Sequence, residues 1–181
     1  MEIFKFCMFS TVLLVCMDKS LAHTCNDVVL QSDVDHSRLN GEWRQAYHSR
    51  DSRYDNFECF NMRIFGISKI HKLFYAQETI HETRPKIGSI ERIVFSTMCW
   101  ENCVSEREIH VDGHIATDYD TYMIIHTCLE DHPIIDIEIR KGIDDLSLEK
   151  VREISGILDK IQVNFFALQE RDRSTCPPPR R

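Results

Sequence analysis

The chain has 181 residues, 28% of them charged, and a formal net charge of -7. That acidity argues against nucleic acid and anionic membrane surfaces as partners and leans toward neutral or cationic ligands. The length suits one domain with a single sizeable core.

Residues 1–22 read as a secretory signal peptide. Lys5 is the only early cation, 6–17 is apolar, and Ser20-Leu21-Ala22 is a small-residue cleavage site. The apolar run is too short to span a membrane, and no later segment comes close. The expected product, 23–181, is one extracellular domain, with monomer as the expected state. The removed segment is charge-balanced (Lys5 and Lys19 against Glu2 and Asp18), so the net charge stays at -7. It takes Cys7 and Cys16 with it. An even set remains, Cys25, Cys59, Cys99, Cys103, Cys128 and Cys176. In an oxidising compartment these read as disulfides, with about 15 connectivities open. No Asn-x-Ser/Thr sequon is present.

The body of the chain is β-rich. Strands are predicted over 42–48, 57–65, 69–79, 87–96, 106–111, 114–116, 120–128 and 134–140. Each is short, rich in Ile, Phe, Tyr or Val, and partly alternating. Gly66, Pro85, Gly88, Asp112-Gly113 and Asp131-His132-Pro133 punctuate them. Such spacing favours an antiparallel sandwich or barrel over βαβ units. One amphipathic helix follows. Ser147 is its expected N-cap, Glu149 lies in its first turn, and Leu148, Val151, Ile154, Ile157, Leu158 and Ile161 share a face. A lone amphipathic helix needs a surface for its stripe, so it is expected on the outside of the sheet. The Pro-rich end after Cys176 reads as extended.

Gly41-Glu42-Trp43, then Asp118-Tyr119-Asp120-Thr121-Tyr122, Cys128, Arg140 and the late helix, in that order, resemble a lipocalin. The likeness covers nearly the whole of 23–181 and extends to arthropod lipocalins such as the cockroach lipocalin allergen and insect bilin-binding proteins. The resemblance implies an all-β fold, an eight-stranded up-and-down antiparallel barrel enclosing one small ligand, with the helix packed outside. It gives Trp43 the barrel floor and lays Arg140 across the indole face. It sets Asp118 and Tyr119 at a hairpin beside that end, near Gly41. It also pairs Cys25 with Cys128 and Cys59 with Cys176. Cys99 and Cys103 fall outside the family pattern and are expected to form a local third bridge.

Candidate chemistry is sparse. Cys99, Cys103, His110 and His114 superficially suggest zinc, but the spacing is too short for a finger and the compartment is oxidising. No Gly-x-Ser-x-Gly elbow occurs, and every cysteine of 23–181 has an expected partner. No metal, cofactor or catalysis is expected. The interior is the better place to look. The parity of Trp43 puts Gln45, Tyr47 and Ser49 inward. Matching 118–128 to the family puts Thr121, Met123 and Ile125 inward, with Tyr122, Ile124 and His126 outward. Phe60, Met62, Phe74 and Phe95 are expected to line the cavity, although their parity is open.

The segment Ile134-Ile135-Asp136-Ile137-Glu138-Ile139-Arg140 alternates cleanly. Hydrophobicity alone sends its isoleucines to the core and its acids to water. An inward Arg140 would instead bring Glu138 and Asp136 inside and put the isoleucines under the helix. Both faces of this strand are buried in a barrel, so composition does not decide. The inward alternative predicts a carrier of a small hydrophobic or amphipathic ligand, with Asp136 facing an ammonium such as that of tyramine, octopamine, histamine or serotonin. The competing class is a salivary-type lipocalin that inhibits host proteins through loops 49–56 and 97–105. A lipocalin-type enzyme would require a free inward cysteine.

Overall fold

The structure, a computed structural model, describes residues 30–50, 57–68, 73–84, 88–99, 111–129, 132–172 and 176. Its strands are β1 (Gly41–His48), β2 (Phe57–Ser68), β3 (Leu73–Arg84), β4 (Gly88–Cys99), β5 (Val111–Thr117), β6 (Tyr122–Leu129), β7 (His132–Arg140) and the short β8 (Gln169–Glu170). Helix α1 (Leu148–Asp159) separates β7 from β8. Strands neighbour one another in the order β2-β3-β4-β5-β6-β7-β1-β8, and β1 also pairs with β2. The pairing therefore returns to its start, as a barrel requires. Every ladder is antiparallel except the two-residue contact of Met98 and Cys99 with Val111 and Asp112. Most of the strand expected over 106–111, the segment expected to be a signal peptide, and Cys25 lie outside the described residues.

Period-2 alternation sorts the strand residues into two clusters. Trp43, Met62, Ile64, Phe74, Ala76, Ile115, Met123 and Ile125 pack inside, with Leu39 beneath them. Ala116, Tyr122, Ile124, Ile135 and Ile137 face the other way, where Ile154 and Leu158 of α1, Ile161 and Phe165 cover them. The helix begins where Ser147 Oγ accepts the Lys150 N–H at 3.3 Å. Tyr122 and Ile124 lie outward as expected, and so does His126, which sits opposite Ile135.

Several features differ from expectation. Asp112-Gly113, expected as a turn between two strands, lies within β5, where Gly113 pairs with Thr127. The strand expected over 69–79 runs on to Arg84, because β3 stays paired with β4 as far as Arg84↔Gly88. Its last turn of sequence, His81-Glu82-Thr83-Arg84, is too polar to read as strand. β1 also carries an irregularity: Gln45 sits opposite Glu138 and Tyr47 opposite Ile137, so Ala46 is an extra residue.

Cys59 and Cys176 form a disulfide with Cα atoms 5.2 Å apart, joining β2 to the end of the chain as expected. The expected Cys25–Cys128 and Cys99–Cys103 bridges fall outside the described side chains. Among the described residues, no helix is long and apolar enough to cross a membrane.

Candidate binding site in the barrel interior

One end of the barrel is closed by Trp43. Its Nε1–H donates to the Leu39 carbonyl at 2.9 Å, and Arg140 lies over its ring at 3.9 Å. The Arg140 guanidinium donates to the carbonyls of Tyr119 (2.9 Å), Asn40 (2.8 Å) and Arg38 (2.8 Å). It thereby ties β7 to the 118–121 hairpin and to the segment before β1. Gly41 makes room for this. A Cβ there would stand 2.5 Å from Arg140 Nη1, and the glycine's φ is +129°. At the hairpin, Asp118 Oδ1 accepts the backbone N–H groups of Thr121 (2.7 Å) and Tyr122 (3.0 Å). Tyr119 adopts a positive φ of 71°, and its hydroxyl accepts the Asp35 N–H at 2.7 Å.

Arg140 fixes the parity of β7. Glu138 and Asp136 share its face, opposite Met123 and Ile125 of the inner cluster, while Ile135 and Ile137 lie under α1. Glu138 sits one inward position above the Trp43–Arg140 floor and is only 1% exposed. Its Oε2 has no hydrogen-bond partner among the described residues. Burial first, then the neighbouring charges of Asp136 and Glu78, push its carboxyl well above the ordinary range, against the pull of Arg171. Burial thus favours the neutral form of Glu138 in the free protein.

Glu78 enters from β3. It lies opposite Met62 and Val94, and Ser96 Oγ donates to it at 2.6 Å. Burial raises its carboxyl too, opposed by the Ser96 bond and by Arg92. A polar relay runs beside these acids. Arg171, which follows β8, donates from Nε (3.0 Å) and Nη2 (2.7 Å) to Gln45 Oε1. Gln45 in turn donates from Nε2 to Asp136 Oδ1 at 2.8 Å. The interior therefore has an apolar wall of Met62, Phe74, Met123 and Ile125 and an acidic group built by β3 and β7.

No protein-family model matches the chain, and no curated protein matches it by sequence. Its fold, however, is similar to several solved structures. The major allergen Per a 4 from cockroaches superposes with a TM-score of 0.60 at 14% identity, over 83% of this chain and 95% of that one. The tryptamine complex of the amine-binding protein of Rhodnius prolixus gives 0.59 at 14% identity, over 82% and 86%. Lobster apocrustacyanin A1 gives 0.54 at 16% identity, over 75% and 78%. The chain has the lipocalin fold.

Within this lipocalin barrel, Gln45, Met62, Phe74, Met123, Ile125, Asp136 and Glu138 face the interior, and Phe60 packs against the inner cluster from a partly buried position. Tyr47 and Phe95 do not, and Ser49 loses its expected inward parity with Tyr47. Tyr47 lies outside, its ring 4.9 Å from Phe165 under α1, because the extra residue Ala46 reverses the parity of β1 beyond Gln45. His48 takes the inward place, opposite Asp136. Phe95 is 71% exposed on the outer face, near Phe65. Its neighbour Ser96 is the inward residue, as the bond to Glu78 requires.

Three interior groups escape a reading of the sequence. Glu78 lies in the mixed run Ala76-Gln77-Glu78-Thr79, where nothing marks one polar residue as inward. His48 is hidden by the bulge. Arg171 lies beyond the helix, in a segment without periodicity. The loops 49–56 and 97–105 and the Cys99, Cys103, His110, His114 constellation lie largely outside the described residues and side chains.

Proposed function

We propose that this chain is a secreted carrier that holds a small amphipathic amine inside the barrel. The apolar wall takes the body of the ligand, and the buried carboxyl group of Glu138 takes its ammonium. One observation carries this reading: Glu138 is buried beside Asp136 and Glu78 with an oxygen that no described residue bonds. A buried carboxyl without a partner costs stability unless something repays it, and a ligand cation is the group that fits. The similarity in fold to an amine-binding protein supports the same chemistry. The reading is one of enclosure, with no catalytic step.

Proton balance follows from the site. The ammonium needs a carboxylate, whereas burial favours the protonated form of free Glu138, so binding favours release of that proton to solvent. Calorimetry with tryptamine tests both claims. Binding is expected, with an enthalpy that varies with the ionisation enthalpy of the buffer. The affinity should rise with pH until the amine itself loses its charge. Tryptophol, with a hydroxyl in place of the amine, should bind at least tenfold more weakly, the order of one charge-assisted hydrogen bond. Equal affinity for tryptamine and tryptophol would sink the ammonium reading.

A further inference from the structure

Asp136 and Glu138 are neighbours on one face of β7, yet they are not equivalent. Gln45 stands directly opposite Glu138 in the ladder but hydrogen-bonds Asp136, its diagonal neighbour. The cause lies 126 residues along the chain. Arg171 offers only donors, and two of them meet Gln45 Oε1. The Gln45 amide must therefore turn its oxygen to Arg171 and its NH2 away, onto Asp136. Glu138 is left with Oε2 unpaired.

Arg171 is itself held from several sides. It is 5% exposed, and its backbone N–H donates to the carbonyl of the bulge residue Ala46 at 2.8 Å. β8, immediately before it, pairs with Tyr47 and His48. Here β1 has already left β2, whose ladder with it ends at Arg44↔Asn61. The Cys59–Cys176 bond then fastens the same segment to β2. The end of the chain thus fills the seam where β1 and β2 part and sends one guanidinium inward through it.

We propose that Arg171 is a positioning and specificity-determining residue: by fixing the Gln45 amide, it makes Glu138, and not Asp136, the carboxyl that meets the ligand's ammonium. This rests on the amine reading given above, and it reverses the expectation from the sequence that Asp136 plays that part. Removing Arg171 frees the Gln45 amide to turn and puts the two carboxyls on a par.

The test ranks Glu138→Gln against Asp136→Asn in two backgrounds, with tryptamine as the probe. In the native chain, E138Q is expected to weaken binding at least tenfold and D136N less than threefold. In Arg171→Met the two losses should fall within threefold of each other or reverse. Arg171→Lys, which keeps a donor and the charge, should restore the native ranking. A purely structural role for Arg171 would lower stability and leave the ranking intact. The proposal is overturned if D136N is the costlier change in the native chain, or if the ranking survives R171M.

Side-chain amide NMR of the ligand-free protein supplies an independent arm. The Gln45 NH2 donates to Asp136, so in the native chain and in R171K its resonances should move more in D136N than in E138Q, and in R171M this preference should be lost. A preference unchanged in R171M also overturns the proposal. If tryptamine fails to bind the native chain, the amine reading falls, while these amide shifts still decide the role of Arg171.

Discussion

Gly41 answers to two neighbours at once. Its φ of +129° is a conformation that side-chain-bearing residues rarely adopt, and Arg140 Nη1 occupies the place a Cβ would take. The Gly-x-Trp spacing has a mechanical sense: Trp43 supplies the plate, Arg140 the clamp, and Gly41 the clearance. Gly41→Ala should therefore cost about 1–3 kcal/mol in backbone strain alone. Displacing Arg140 from three carbonyls adds to that loss. Urea unfolding should show the midpoint falling. A midpoint unchanged from the native chain would mean that Arg140 does not hold the position described. The motif was legible in the sequence because its residues are constrained by one another and not by a ligand. Glu78 and Arg171 were not legible, because an inward polar side chain and an outward one look alike until the register is known.

The elements are fastened by polar groups at their ends. The hairpin between β5 and β6 is held by Asp118, and it is docked on α1 through the Lys150 ammonium, 2.9 Å from Asp118 and 2.8 Å from Glu153. Tyr122, from the start of β6, donates to Glu153 at 2.8 Å. Burial raises the Asp118 carboxyl, but Lys150 and the N–H groups of Thr121 and Tyr122 outweigh it, so the net shift is downward. A carboxyl depressed in the folded state stabilises above its unfolded pKa, about 3.9 for Asp. That stability is lost as pH falls through the lower folded value. Asp118→Ala, which removes an acceptor from these backbone donors, should destabilise by about 1–3 kcal/mol at neutral pH. The gap from the native chain should close on acidification below the Asp118 pKa, measured as melting temperature against pH. A gap that stays constant down to pH 2 would assign the loss to packing. At this scale the sequence was a good guide where the pattern is strict. The Ser147 cap, the α1 stripe from Val151 onward and the alternation of β7 are visible in residue order, while Leu148, expected on the same stripe, is 65% exposed. It failed at the bulge of β1, where one extra alanine in an apolar-polar run exchanges Tyr47 for His48.

At the scale of the whole molecule, the wall of the barrel is not continuous in sequence. β1 pairs with β2 over Gly41–Arg44 and with β8 over Tyr47 and His48, so the final segment completes the wall that the first strand begins. The Cys59–Cys176 bond closes a loop with a sequence separation of 117 and keeps that segment in place. Restricting a loop of this length in the unfolded chain is worth about 4–5 kcal/mol in the entropic model. Cys59→Ala with Cys176→Ala should therefore lower stability by several kcal/mol, since Cys59 is also fully buried. The location of the damage is the more telling outcome. If the bond chiefly retains β8 and Arg171, native-state hydrogen exchange should accelerate first at the Arg171 amide, which donates to Ala46. The β6–β7 ladder, covered by α1, should keep its protection until global unfolding. Uniform acceleration across both regions would show that the bond stabilises the barrel as a whole and has no local hold on the seam.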